Sequence, residues 1–174
     1  MNTQRILIQR IEDREAKVAI IGMGYVGLPL AVEFASAGLE TVGIDLSEEK
    51  VAQVNAGESY IADVPSIAVR DLVEAGKLRA TTEASALGEV DCICISVPTP
   101  LSKTKDPDIS YIVAACDMIV QYFRPGVLIV LESTTYPGTT EEVILSRLDV
   151  GGALVGKDFF LAFSPERVDP GNEQ

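Results

Sequence analysis

Three glycines near the start of the chain have the spacing of a diphosphate-binding turn. Residues 18–27 read VAIIGMGYVG, which places Gly22, Gly24 and Gly27 as G-x-G-x-x-G after an apolar run. The first glycine permits a tight bend, the second lets backbone approach a diphosphate, and the third lets the next helix pack closely. The spacing therefore predicts a dinucleotide site that includes Tyr25 and Val26. A glycine turn needed only for packing is the alternative.

An acidic residue follows the second apolar run at the distance expected of a ribose ligand. Asp45 ends the segment TVGID, 23 positions after Gly22. A carboxylate at this place accepts hydrogen bonds from the adenosine ribose hydroxyls and repels a 2′-phosphate, so the sequence favours NAD over NADP. The alternative is a solvated acid that caps the next helix, but Ser47 can fill that role by itself.

Polar residues also follow the later apolar runs. Ligands of open α/β sheets bind outside the carboxyl ends of the strands, so these residues are candidates for the same site. Thr99 and Thr134 could bind cofactor or a water, and Glu166 is placed to act as a base near the nicotinamide. The candidates are Pro98 and Thr99, then Glu132, Ser133 and Thr134, and finally Ser164, Pro165 and Glu166.

The elements that must position these residues alternate between strand and helix. Continuous β-branched runs predict buried strands, and apolar residues at helical spacing predict helices between them. This order predicts an α/β, Rossmann-type doubly wound, mostly parallel six-stranded sheet with helices on both faces. Residues 1–16 are expected to be an N-terminal extension with a short helix, and residues 17–174 the dinucleotide-binding domain. The predicted strands are 17–21, 41–45, 77–81, 90–97, 126–134 and 159–165, and the predicted helices are 25–37, 47–55, 66–75, 109–123 and 139–148.

Composition excludes several other classes of function. The formal net charge of −12 argues against nucleic acid and against an anionic membrane surface as partners. The absence of histidine excludes Ser-His-Asp and Cys-His catalysis within the chain. Cys92, Cys94 and Cys116 are expected to be small buried hydrophobes rather than a nucleophile or a metal site, which indicates a reducing, cytoplasmic location.

Four ordered motifs resemble one known family. GMGYVGLPLA, VPTP, ESTTYPGTT and SPERVDPGN are together similar to the N-terminal domain of the UDP-glucose/GDP-mannose dehydrogenase family. The last motif is most similar to the branch that oxidises UDP-N-acetylhexosamines. The resemblance extends from Lys17 to Gln174 and does not include residues 1–16.

The resemblance implies a function and a set of site residues. Family members oxidise C6 of a nucleotide sugar from alcohol to carboxylate with two NAD⁺, through a cysteine nucleophile, as a step of polysaccharide biosynthesis. The motifs place NAD on Gly22, Gly24, Gly27 and Asp45, with Thr99 lining its site, and they give Thr134 the role of orienting a water and Glu166 that of acid/base.

The same resemblance sets the limits of this activity. The nucleophilic cysteine, the central helix and the sugar domain of the family correspond to nothing in these 174 residues. The chain alone is therefore expected to bind NAD without turning over a UDP-sugar, and the full-length enzyme is expected to be a homo-oligomer.

Two other functions remain open at this level. The first is a non-catalytic NAD-sensing or interaction module, for which 174 residues would be the natural length. The second is a methyltransferase with a nucleoside cofactor, which shares a glycine loop and a strand-two acid but not this loop spacing.

Overall fold

Six parallel strands form the central sheet of the protein. A computed structural model describes residues 3–100, 107–148 and 151–165. The strand order is β3-β2-β1-β4-β5-β6, and every neighbouring pair is parallel. This is the order of a doubly wound dinucleotide-binding sheet, so the predicted fold is confirmed. The strands are β1 (Lys17–Ile21), β2 (Glu40–Ile44), β3 (Leu78–Thr81), β4 (Cys92–Ile95), β5 (Leu128–Leu131) and β6 (Phe160–Phe163).

Five α-helices within the described residues pack around the sheet. Because side chains alternate along each strand, one set packs under α2, α3 and α4 and the other under α5. Right-handed crossovers between parallel strands require this arrangement. The helices are α1 (Thr3–Glu12), α2 (Gly27–Ser36), α3 (Glu48–Asn55), α4 (Ser66–Glu74) and α5 (Ser110–Gln121).

Two helical segments differ from the prediction. Ala84–Glu89 forms a 3-10 helix that the sequence pattern did not indicate. The helix expected over 139–148 is wound as a π-helix over Thr140–Leu145. Apolar spacing over six residues is compatible with either winding, so the pattern predicted a helix but not its type.

The three cysteines lie in the core, as predicted. Cys92 and Cys94 share one face of β4 and pack in the cluster formed with α2 and α4. Cys116 packs on the opposite face, beneath α5. All three are free thiols and buried, and burial raises the pKa of each.

A buried carboxylate joins α1 to the amino-terminal edge of the sheet. Asp91 accepts hydrogen bonds from the Arg10 guanidinium at 3.0 Å, the Arg124 guanidinium at 2.7 Å and the Lys17 N–H at 2.9 Å. Leu7 of α1 is also buried in the core.

Among the described residues, none of the helices combines the length and the apolar character that a membrane span requires.

Candidate functional site

A cavity of about 530 Å³ opens at the carboxyl edge of the sheet, above β1 and β4. Its size falls within the roughly 300–1,000 Å³ of small-molecule sites. The wall is formed by residues from the glycine turn, from the ends of β2, β4 and β5, from α3 and from the segment between α3 and α4. They are Gly22, Gly24, Tyr25, Val26, Asp45, Lys50, Tyr60, Ile61, Ser96, Val97, Pro98, Thr99, Glu132, Ser133 and Thr134.

Each of the three positions of the turn requires a glycine for a different structural reason. Gly22 has φ +92°, and a Cβ on it would lie 2.7 Å from the Ser96 carbonyl oxygen. Gly27 opens α2, and a Cβ there would overlap the Gly22 carbonyl, so Gly27 allows close packing and does not line the cavity. Gly24 has nothing within 4 Å of its virtual Cβ. Since Gly24 lines the cavity, its missing side chain keeps the space in front of the turn open.

The start of α2 presents unpaired backbone donors to this space. The N–H groups of Gly24, Tyr25 and Val26 donate to no protein atom within the described ranges. No side-chain cap is present at the helix start either. Together with the partial positive charge of a helix N-terminus, these donors suit an anion.

Asp45 is held in place by backbone on both sides. Its Oδ2 accepts the Met23 N–H at 2.8 Å, and its Oδ1 accepts the Ser47 N–H at 2.9 Å. Ser47 itself caps α3 by accepting from the Lys50 N–H, as predicted. The Lys50 ammonium also donates to Oδ2, so of the about four acceptor positions of a carboxylate one, on Oδ1, is left for a ligand.

Two further residues at this end of the cavity were missed by the sequence analysis. The Lys50 ammonium lies 3.3 Å from Asp45 Oδ2 and 5.9 Å from the centre of the Tyr60 ring. The Tyr60 hydroxyl donates to the Met23 carbonyl at 2.6 Å. Lys50 could have been found from its place in the first turn of the helix after Asp45. Tyr60 lies in an irregular segment that carries no such pattern.

The ends of β4 and β5 close the other side of the cavity. Pro98, Thr99 and Thr134 line it. The Ser133 hydroxyl donates to the Val97 carbonyl at 2.8 Å and thereby joins the two strand ends. Ser96 Oγ is buried and has no hydrogen-bond partner within the described ranges.

Of the candidates after β6, the two that the structure describes are not brought into this wall. Ser164 and Pro165 are exposed and do not line the cavity. Glu166 lies outside the described residues. Tyr25, expected in the dinucleotide site, is 70% exposed at the cavity wall and therefore does not serve the core.

Comparison with known proteins identifies the domain that carries this cavity. Residues 16–174 match the UDP-glucose/GDP-mannose dehydrogenase family, NAD binding domain. The chain belongs to this family. It is therefore the NAD-binding domain of a dehydrogenase family, and the cavity described above lies within it.

Individual relatives agree with the family assignment. The chain is 38% identical to the UDP-N-acetyl-D-mannosamine dehydrogenase of Pyrococcus horikoshii over 89% of its length, and 36% identical to the UDP-N-acetyl-D-glucosamine 6-dehydrogenase of Pseudomonas aeruginosa over 92%. Each alignment covers 37% of the relative. The chain thus spans little more than a third of the length of these curated relatives.

Solved structures of the same family superpose closely. The NDP-N-acetyl-D-galactosaminuronic acid dehydrogenase of Methanosarcina mazei has a TM-score of 0.83 at 34% identity, with 98% of this chain and 38% of that chain covered. A ternary complex of GDP-mannose dehydrogenase from Pseudomonas aeruginosa has the same TM-score at 30% identity, with 88% and 36% covered.

Proposed function

We propose that this chain is the cofactor-binding part of a nucleotide-sugar 6-dehydrogenase that oxidises the C6 hydroxyl of a UDP-N-acetylhexosamine to a carboxylate. One observation carries the proposal: a single cavity joins the open glycine turn and Asp45 at one end to Thr99 and Thr134 at the other. The UDP-N-acetylhexosamine dehydrogenases among the relatives support the substrate class.

The chain's own residues would bind NAD in two parts. The amides of Gly24, Tyr25 and Val26 would hold the diphosphate. In the described part of the cavity wall Lys50 is the one cation, so backbone N–H groups would have to supply most of the donors to the phosphates. Asp45, with Lys50 beside it, would accept from the adenosine ribose hydroxyls. Bound NAD supplies a hydride acceptor.

The other end of the cavity would serve the nicotinamide and the reaction. Pro98 and Thr99 would line the cofactor there, and Thr134 would orient a water. Glu166 would act as the acid/base for release of the carboxylate product. We assign the remaining catalytic groups to the longer protein, so the chain alone would bind NAD without turning over a sugar. We also infer a homo-oligomeric whole enzyme and, from the three free buried thiols, a cytoplasmic location.

Titration calorimetry with NAD⁺ and NADP⁺ tests the cofactor part of this proposal. We expect NAD⁺ to bind and NADP⁺ to bind more weakly, because the Asp45 carboxylate would repel a 2′-phosphate. Absence of heat with NAD⁺, or tighter binding of NADP⁺, would contradict it.

The catalytic part requires the longer protein. There, replacement of Glu166 by Gln is expected to slow release of the acid while cofactor affinity changes little. A variant that releases product at the unmodified rate would remove Glu166 from the mechanism.

A further inference from the structure

The second residue of the glycine turn, Met23, is anchored at three points. Its N–H donates to Asp45 and its carbonyl accepts from Tyr60. Its side chain is 1% exposed and packs over Gly43 of β2, where a Cβ would lie 2.4 Å from the Met23 sulfur. Both peptide groups that flank Met23 therefore have fixed orientations.

The bond from Tyr60 fixes the peptide group between Met23 and Gly24. This peptide is trans, as are all those described, and a trans peptide group is planar with its C=O and N–H pointing in opposite directions. With the carbonyl directed at Tyr60, the Gly24 N–H is directed away from it. That N–H has no protein acceptor within the described ranges.

We propose that Tyr60 is a positioning residue for the diphosphate of the dinucleotide, because its hydroxyl holds the Met23 carbonyl and thereby fixes the orientation of the Gly24 N–H at the cavity wall. The inference rests on the proposed function, since it takes the cavity to receive NAD. It adds to the known glycine pattern a residue 36 positions from Gly24, in a segment without any motif.

The segment that carries Tyr60 is itself ordered by local bonds. The Ser59 N–H donates to Ser66 Oγ at 3.0 Å, and Ser59 Oγ accepts from the Ile61 N–H at 3.1 Å. Ile61 is buried. These contacts anchor the segment between α3 and α4 that carries the phenol.

The electrostatic environment keeps the phenol a donor. Burial and the nearby Asp45 carboxylate raise the pKa of Tyr60 well above its ordinary value. The shift favours the protonated hydroxyl, whose single proton is donated to the Met23 carbonyl.

Binding measurements on the 174-residue chain with the Tyr60→Phe variant test this role. The variant keeps the ring and removes only the hydroxyl. We expect ADP and NAD⁺ to bind about fivefold to tenfold more weakly, the scale of one lost hydrogen bond, while adenosine affinity stays within about twofold. Tyr111→Phe, which removes a hydroxyl from an exposed tyrosine of α5 outside the cavity, is the matched control and should change none of the three.

The Gly24 amide resonance in ¹⁵N-labelled protein gives a readout that does not depend on NAD. We expect it to shift in Tyr60→Phe and to stay in place in Tyr111→Phe. Unchanged ADP affinity, an equal loss for adenosine and ADP, or an unmoved Gly24 resonance would each overturn the inference. A wild-type chain that binds neither NAD⁺ nor ADP would overturn the proposed function, and the Gly24 resonance would then decide separately whether Tyr60 orients the peptide.

Discussion

The Met23 N–H donates to the Asp45 carboxylate at 2.8 Å, so the glycine turn after β1 and the end of β2 are joined within the protein itself. The carboxylate that would bind the ribose is therefore hydrogen-bonded to the turn that would bind the diphosphate. Substitutions in the glycine turn and substitutions of Asp45 are therefore expected to have non-additive effects.

Replacement of Asp45 by Ala is expected to weaken NAD binding by about 1–3 kcal/mol, the scale of losing hydrogen bonds to a charged group. The same change leaves the Met23 and Ser47 amides without their acceptor, so the melting temperature should also fall. Calorimetry and thermal unfolding measure the two effects. Asp71→Ala, an exposed site with the same change in charge, is the control, and unchanged NAD affinity in Asp45→Ala would restrict Asp45 to a structural role.

Gly24 and Gly27 offer a matched pair of substitutions. Gly24→Ala meets no protein atom, so stability should be unchanged while its methyl group occupies the cavity and lowers NAD affinity at least about tenfold, or 1.4 kcal/mol. Gly27→Ala drives a methyl group into the Gly22 carbonyl and should cost about 3 kcal/mol of folding free energy. Urea unfolding and calorimetry separate the two, and equal stability losses would refute this division of roles.

Asp91→Asn tests the network at the amino-terminal edge of the sheet. The charged acceptor of Arg10 and Arg124 is lost, but both guanidinium groups are partly exposed to solvent, so we expect a loss of only about 1–3 kcal/mol in urea unfolding. NAD affinity should not change, because Asp91 lies at the opposite edge from the cavity. A large loss of affinity would show that the two edges are coupled.

The buried thiols predict a decline of stability in alkaline solution. Burial raises the pKa of Cys92 and Cys116 to about 11 and that of Cys94 to about 12, above the 9.0 of an unperturbed thiol. Above pH 9 the unfolded chain therefore binds fewer thiol protons than the folded one, and the free energy of unfolding falls as pH rises. Urea unfolding between pH 8 and about pH 10.5 measures this slope.

A cysteine variant isolates the thiol contribution to that slope. Cys94→Ala should have a shallower decline than the wild-type protein, because one shifted thiol is gone. Equal slopes in the two proteins would assign the decline to other groups.

The sequence predicted the sheet well because each strand is a local pattern. KVAII was expected as a buried strand and forms β1 with the same bounds, and strand-helix alternation was enough to predict the parallel order. The glycine turn and Asp45 were likewise found by fixed spacing along the chain. Their presence on one cavity wall follows from the parallel sheet.

What escaped prediction depends on contacts between distant residues. In the sequence, Gly43 looks like a residue that only weakens β2. The structure shows why a glycine is needed there, because the Met23 side chain packs against it. Tyr60 lies 37 positions from Met23, in a segment without periodicity. The π-helix was likewise not predicted, because a pattern of apolar residues over so few turns does not distinguish a π-helix from an α-helix.

The attachment of α1 has a consequence for the order in which the chain folds. Arg10 reaches Asp91 across 81 positions of sequence, so this contact closes a long loop and gains little until β1 and β4 have paired. We therefore expect α1 to dock late, after the sheet has formed. The backbone amides of α1 should therefore exchange with deuterium before those of the central strands.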